Sequence, residues 1–299
     1  MSGNRRAQTV VTVSYKTFDP ANLVIADEPY ALEKGGKLVS LRYNQEGRTF
    51  DKLRIQTPAM TIGNVWDNMD DKTGQLTSYT VALNLHHLFT DDAQTVMEPP
   101  GPDADVATLE KYAQRTFIEK LDSIDQATID KATEKGWFKE KGRALDREKV
   151  EGKFSSTVHW PQDPKYTLGI RVKVNVRDTT EGRIVICDQD SRDVTFYKVN
   201  PETNEWVFKH DAAYASTPGE PVFNIDALRG RGVRVLRAII ESNNAWVQTG
   251  LSCSWKLVRI QVEVPDVSAA AAAWVDEDEE LPAAKRRNTA AAAPIEEDE

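Results

Sequence analysis

The 299-residue sequence predicts a mainly β (α+β) protein: a small barrel or sandwich of short strands, interrupted by one helical insertion and followed by an acidic tail. Three observations carry this. Short β-branched, alternating runs recur along most of the chain. One stretch switches to a four-residue period, and the residues from 266 on lose the apolar content a core needs.

Taken in order, Thr9-Val10-Val11-Thr12-Val13-Ser14-Tyr15 is β-branched and alternates, the pattern of a half-buried strand. Segments 37–43, 52–56 and 76–85 read likewise, separated by turn clusters at 44–47 and 68–74. Glu98-Pro99-Pro100-Gly101-Pro102 then breaks the pattern. Beyond it Leu109, Ala113, Phe117 and Leu121 recur every fourth residue behind Asp105, a natural N-cap, which predicts a helix over roughly 106–121. Ser123 and Gln126 stand at capping-box spacing and Gly136 is a stop signal, so a second helix is expected within an insertion over about 105–136. In GIRVKVNVR, 169–177, Ile170, Val172, Val174 and Val176 share one face, while Arg171, Lys173, Asn175 and Arg177 share the other, as a strand's two-residue period requires. Segments 183–187, 194–199, 205–209, 233–240 and 255–264 follow as strands. Trp246 and Trp255 flank Gln248-Thr249-Gly250 as if on one hairpin.

The net charge of -9 is unevenly placed. Ten of the 47 acids but only three of the 38 bases lie in 266–299, leaving 37 against 35 in the rest. The expected body, 1–265, is thus nearly neutral, and the acidity sits in a disordered tail, 266–299. A polyanionic ligand is therefore compatible with the body. No apolar run of about eighteen residues or secretory leader is present, so neither a membrane location nor secretion is expected. Cys187 and Cys253 fit reduced thiols better than a disulfide framework.

Enzymatic chemistry finds little to work with. The glycine-rich stretch RGRGV, 229–233, lacks the spacing and the Lys-Ser/Thr ending of a phosphate-cradling loop. His86 and His87 are adjacent, which on a regular strand turns them to opposite faces and precludes shared metal ligation. Acid pairs such as Asp70-Asp71 and Asp91-Asp92 read as solvated turns. No catalytic residue, metal or cofactor is expected.

What remains is cations and rings. Single-stranded nucleic acid is held by Lys and Arg along the phosphates and by aromatic faces under the bases. The strand with Arg171, Lys173 and Arg177 offers such a face; Arg229, Arg231, Arg234 and Arg237 form a second basic cluster, and Lys52 and Arg54 flank a short strand. A basic solvent face alone serves solubility as readily, and a tryptophan is more often core than platform; Trp160 and Trp206 read as structural.

Four segments, in order, resemble the phage-type single-stranded-DNA-binding proteins of large nucleocytoplasmic DNA viruses. They are KLRIQTPAM (52–60) with its Ile55-Gln56-Thr57-Pro58 core, GWFKEK (136–141), KYTLGIRVKV (165–174) and AWVQTGLSCSWKLVRIQV (245–262). The chain departs from that family in carrying TIGNVWDN, 61–68, where a Phe-Gly is usual, and in ending Glu297-Asp298-Glu299 rather than in an aromatic residue.

The resemblance implies an oligonucleotide-binding (OB-fold-like) antiparallel barrel that binds single-stranded DNA in viral replication, recombination and repair. Lys52, Arg54, Arg171, Lys173, Arg177, Arg231, Arg234 and Lys256 are then the expected phosphate contacts, with Trp246 and Trp255 as stacking candidates. The tail acids Asp276, Glu277, Asp278, Glu279, Glu280, Glu296, Glu297, Asp298 and Glu299 would compete for the groove and recruit a polymerase or helicase. The assembly stays open between monomer and homodimer. The location is open between the host nucleus, which Lys285-Arg286-Arg287 would suit, and a cytoplasmic viral factory. The alternative reading is a non-enzymatic virion structural or scaffold protein.

Overall fold

In the computed structural model the described residues are 9–33, 35–93, 97–176, 185–191, 194–200, 205–210, 233–242 and 244–263. Arg177, Arg229, Arg231, the Lys285-Arg286-Arg287 triplet and every tail acid named above lie outside them. The chain divides into two units, 1–264 and 265–299.

The body is mostly β and is built on a closed five-stranded barrel. The strands that matter are β1 (Val10–Ser14), β2 (Lys37–Gln45), β3 (Lys52–Gln56), β4 (Met60–Met69) and β5 (Leu76–Phe89). After helix α1 (Val106–Glu134) come β6 (Thr167–Asn175), β7 (Val185–Cys187), β8 (Arg234–Ser242), β9 (Asn244–Val247), β10 (Leu251–Cys253) and β11 (Lys256–Val262). Around the barrel the order is β4-β5-β6-β11-β8 and back to β4. Counting barrel strands along the chain, this is first, second, third, fifth, fourth, first, a Greek-key closure of the oligonucleotide-binding type. All neighbours are antiparallel except β6 and β11, whose one register pair among the described residues, Lys173 with Lys256, is parallel.

The alternation in the sequence accounts for the barrel's filling. Val172 and Val174 point inward from β6, Val81 and Leu83 from β5, Met60 and Ile62 from β4, and Ile240 and Ile260 from β8 and β11; all are buried. Outside the barrel β3 pairs with β8, and β1 runs parallel to β3. Thr57 fastens this edge, because its Oγ1 accepts the Ala238 N–H at 2.9 Å and its own N–H donates to the Ala238 carbonyl at 2.8 Å. Buried Thr57 is thus a clamp between the end of β3 and β8. A second sheet contains β2, β9 and β10, with Val39, Leu41, Ala245, Val247 and Leu251 forming its core.

The insertion contains one long helix where two short ones are expected. Its buried side chains run without a break from Phe117, Ile118 and Leu121 through Ile124 and Thr128 to Ile129 and Ala132. Ser123 caps nothing: its hydroxyl donates to the Glu119 and Lys120 carbonyls inside the helix, at 2.9 Å each. The predicted ends hold. Asp105 Oδ1 accepts the Thr108 N–H at 2.8 Å. At the other end Trp137 N–H reaches the Ala132 carbonyl and Gly136 N–H the Thr133 carbonyl, a Schellman closure that Gly136 permits with φ +58°. Phe117 to Ile124 join the barrel core, while Ile129 and Ala132 join the core of the second sheet. One helix therefore ties both together. It leaves the chain between the second and third barrel strands, β5 and β6.

Segment 60–69, where the sequence offers only an atypical TIGNVWDN, is a strand with a register irregularity between Ile62 and Val65. Among the described residues no helix is long and apolar enough to cross a membrane. Replacing Phe117, fully buried and set edge-on to Tyr15 at 6.2 Å, by Ala is expected to lower unfolding stability by roughly 3–5 kcal/mol in urea titration.

Candidate nucleic-acid interface

Because Val172 and Val174 fill the barrel, Arg171 and Lys173 must stand on its outer surface. Strand register sets their neighbours. Trp66, Thr80, Lys173, Lys256, Glu241 and Arg54 lie side by side across β4, β5, β6, β11, β8 and β3. At the Trp66 end the indole is 40% exposed, and the Arg171 guanidinium carbon sits 5.3 Å from its ring centroid. That is a cation–π pair, which holds the ring and the charge in one place.

Mid-row, Lys173 and Lys256 are both exposed and face each other directly, an arrangement that costs stability unless an anion joins them. Glu241, the row's acid, is engaged elsewhere. It is buried, and it binds Lys52 Nζ at 3.1 Å and Arg54 Nε at 2.8 Å. Burial works to raise its pKa, but Arg54 and Lys52 outweigh that and hold the carboxyl below its usual range. Lys52 and Arg54 are therefore spent largely on an internal carboxylate, whereas among the described residues Lys173 and Lys256 have no carboxylate partner.

Two adjoining clefts open beside this row. The first, about 370 Å³, is lined by Trp66, Asn84, Tyr166, Gly63, Gly169 and Arg171. A Cβ on Gly169 would come within 3.1 Å of the Leu83 carbonyl, and one on Gly63 within 2.6 Å of the Asn84 amide, so glycine keeps this floor low. Tyr166 is exposed, with Lys165 Nζ 5.0 Å from its ring centroid. The second cleft, about 480 Å³, shares Arg171 and His159 with the first and runs past Trp160, Thr157 and Ser252. Arg171 spans the join, its Nη2 lying 3.4 Å from His159 Nε2.

The two tryptophans of 245–262 part company. The Gln248-Thr249-Gly250 turn closes a hairpin only between β9 and β10, and the chain then leaves for barrel strand β11. Trp246 stands on the outer side of β9, 40% exposed between buried Ala245 and Val247. Its register partner Ser252 lines the second cleft, so the indole lies one strand beyond that cleft's wall. Trp255 is a core residue, 4% exposed, and offers no stacking face. The reason is that it leads into β11, whose Leu257 and Ile260 turn into the barrel. Its Nε1 donates to Thr157 Oγ1 at 3.3 Å. Thr157 in turn donates from Oγ1 and from N–H to Asp125 of α1, at 2.7 and 2.8 Å. A helix carboxylate thus sets the position of the cleft wall.

Arg234 is likewise engaged, by Glu263 at 3.2 Å and by Glu110 of α1. Glu110 Oε2 also meets His86 Nε2 at 3.2 Å and His87 Nε2 at 3.0 Å. The adjacent histidines converge rather than diverge. Pairing of β5 with β6 jumps between Gly169–Asn84 and Thr167–Phe89, and the irregularity falls where the two histidines lie. Their three ligand atoms lie within 4.8 Å of one another. The donor set nevertheless suits a hydrogen-bond clasp better than a metal. Gln114 is fixed by the His87 N–H and the Ala59 carbonyl, so its amide faces His86 Nδ1 and leaves the proton on Nε2, toward Glu110. Burial, then His87, holds the His86 pKa below its usual value.

Trp66, Tyr166, His159 and Asn84 line the candidate cleft and are residues that sequence reasoning did not single out. For Trp66 the signal existed: it follows apolar Val65 in a β-branched run and must face the other way. The remainder depend on strand pairings remote in sequence. Cys187 and Cys253 are both free, and burial foremost pushes the Cys253 thiol far up. No family model, curated protein or solved structure matches the chain.

Burial raises the Asp125 pKa from 3.8 to about 6, against the lowering effect of its Thr157 hydrogen bonds. The folded state then holds this proton more tightly than the unfolded chain, so stability is greatest below pH about 4 on this account and declines as pH climbs to about 6. Urea unfolding of wild type and Asp125→Asn between pH 4 and 7 is expected to show a decline of order 2–3 kcal/mol that the variant lacks.

Proposed function

We propose that this protein binds single-stranded DNA along the outer face of β4, β5 and β6, extending over β11 toward the β9–β10 hairpin. Bases stack on the exposed rings of Trp66 and Trp246, and phosphates meet Arg171, Lys173 and Lys256. The observation that carries the reading is Arg171 stacked against exposed Trp66, beside the directly opposed Lys173 and Lys256. Barrels of this type bind oligonucleotides on the face of their second and third strands, here β5 and β6. Unpaired bases can lie flat on an indole, whereas in a duplex those faces are hidden by neighbouring pairs. The cleft over Gly63 and Gly169 supplies room for a base beside the ring.

The placement in viral replication, recombination and repair rests on the four-segment resemblance. Within it the acidic unit 265–299 acts as a tethered competitor for the basic face and, once displaced by DNA, as the contact for a polymerase or helicase. Arg177 and Arg231, which belong to the same expected phosphate-binding set, lie outside the described residues.

Titration of labelled oligo-dT against duplex of equal length, at two salt concentrations, is expected to show preference for the single strand, quenched tryptophan emission and weaker binding at higher salt. Trp66→Ala should cost roughly 1–3 kcal/mol of that binding without loss of fold. Absence of strand preference, together with concentration-dependent assembly, would instead indicate a scaffold protein. Deletion of 266–299 should tighten oligo-dT binding at low salt; unchanged affinity would remove the tail from the mechanism.

A further inference from the structure

A second basic site lies farther along β8 and β11, apart from the Trp66–Arg171 clefts. It is a pocket of about 230 Å³ lined by Arg237, Arg259, Gln261, Gln56, Ser191 and Cys187, with Ile239. Among the described residues no acidic side chain lines it and no carboxylate pairs with either guanidinium. Two arginines converge on it because register demands it: Arg237 is opposite Gln261, while Ile239 lies between Arg259 and Gln56. A pairing irregularity between Ile239 and Ile240 turns Arg259 outward between buried Leu257 and Ile260.

The supporting contacts hold the two forks without using them up. Gln261, 5% exposed, donates its amide to the Asp188 and Gln189 carbonyls at 2.7 and 3.0 Å, which leaves its Oε1 to accept from Arg237 Nε. Among the described residues, neither terminal nitrogen of Arg237 has a partner. Arg259 places one terminal nitrogen 3.6 Å from Cys187 Sγ, a weak acceptor, and among the described residues its other donors have no partner. Ser191 presents its hydroxyl from a left-handed backbone, φ +65°, a conformation that costs a non-glycine residue free energy and is retained where the surroundings fix it. The Asp188 carboxylate of the same turn accepts the Asp190 N–H at 2.9 Å.

We infer that this pocket binds a phosphate group. Guanidinium forks match phosphate oxygens in pairs and are weakly hydrated, so two of them lacking a carboxylate select a tetrahedral oxyanion over chloride. The volume falls below the usual range for drug-sized ligands and suits a single small group. The phosphate comes either free or as part of a nucleic-acid strand, and the site stands whether or not DNA follows the path proposed above.

The test uses the full chain at constant ionic strength. Inorganic phosphate is titrated while the arginine Nε–H resonances and the melting temperature are followed, with Arg237→Gln and Arg259→Gln in parallel. The expected result is saturable shifts confined to Arg237 and Arg259, competed by sulfate but not chloride, with affinity at least tenfold weaker in each variant. Shifts that fail to saturate, that chloride reproduces, or that persist unchanged in both variants would overturn the site. The wild-type resonances decide the matter even if a variant does not fold. A second arm compares 5′-phosphorylated and 5′-hydroxyl oligo-dT of equal length. Weaker binding of either by the variants, with Trp66→Ala as the separate control for the stacking face, identifies a strand-borne phosphate; unaltered oligonucleotide binding with lost phosphate binding identifies the free anion.

Discussion

The barrel closes through one parallel pairing. Among the described residues Lys173 and Lys256 are the sole register partners between β6 and β11, reinforced by the Lys173 N–H to the Trp255 carbonyl at 2.8 Å. Without that seam the five strands form an open sheet, and without it the two lysines do not meet. The same contact therefore completes the fold and concentrates positive charge on its surface. Like charges held directly opposite work against folding. The nearby carboxylate that could neutralise them, Glu241, faces the opposite neighbour instead and is consumed by Lys52 and Arg54.

That division of labour sorts the basic residues into two kinds. Lys52, Arg54 and Arg234 are paired with Glu241, Glu110 or Glu263, and they stitch β3, β8, α1 and the end of β11 together. Arg171, Lys173, Lys256, Arg237 and Arg259 keep donors in hand. The second group divides between the Trp66–Arg171 clefts, the lysine seam and the twin-arginine pocket.

How much of this the sequence displays depends on the range of the interaction. The face assignment in 169–177 follows from a two-residue period and holds residue by residue for Ile170 to Val174. The helix ends at Asp105 and Gly136 are equally local. The expected break at Ser123 fails because a buried stripe from Phe117 to Ala132 outweighs a single capping signal. His86 and His87 defy the alternation rule only because β5 loses register against β6, a fact that resides in the partner strand. The engagement of Lys52 and Arg54 is invisible for the same reason, since Glu241 is nearly two hundred residues away. Trp255 illustrates the limit most plainly: a turn signal fixes the start of β10 but not which sheet the chain joins after it.

A cylinder closed by so short a seam has a built-in zip. The chain between β5 and β6 carries α1, which grips both cores, so those parts are anchored from beneath while the β6–β11 edge has little backbone bonding of its own. Thermal opening starts at the weakest join. A polyanion laid across both lysines would act there as a suture, trading their mutual repulsion for shared attraction, so that the occupied cylinder is the stiffer one.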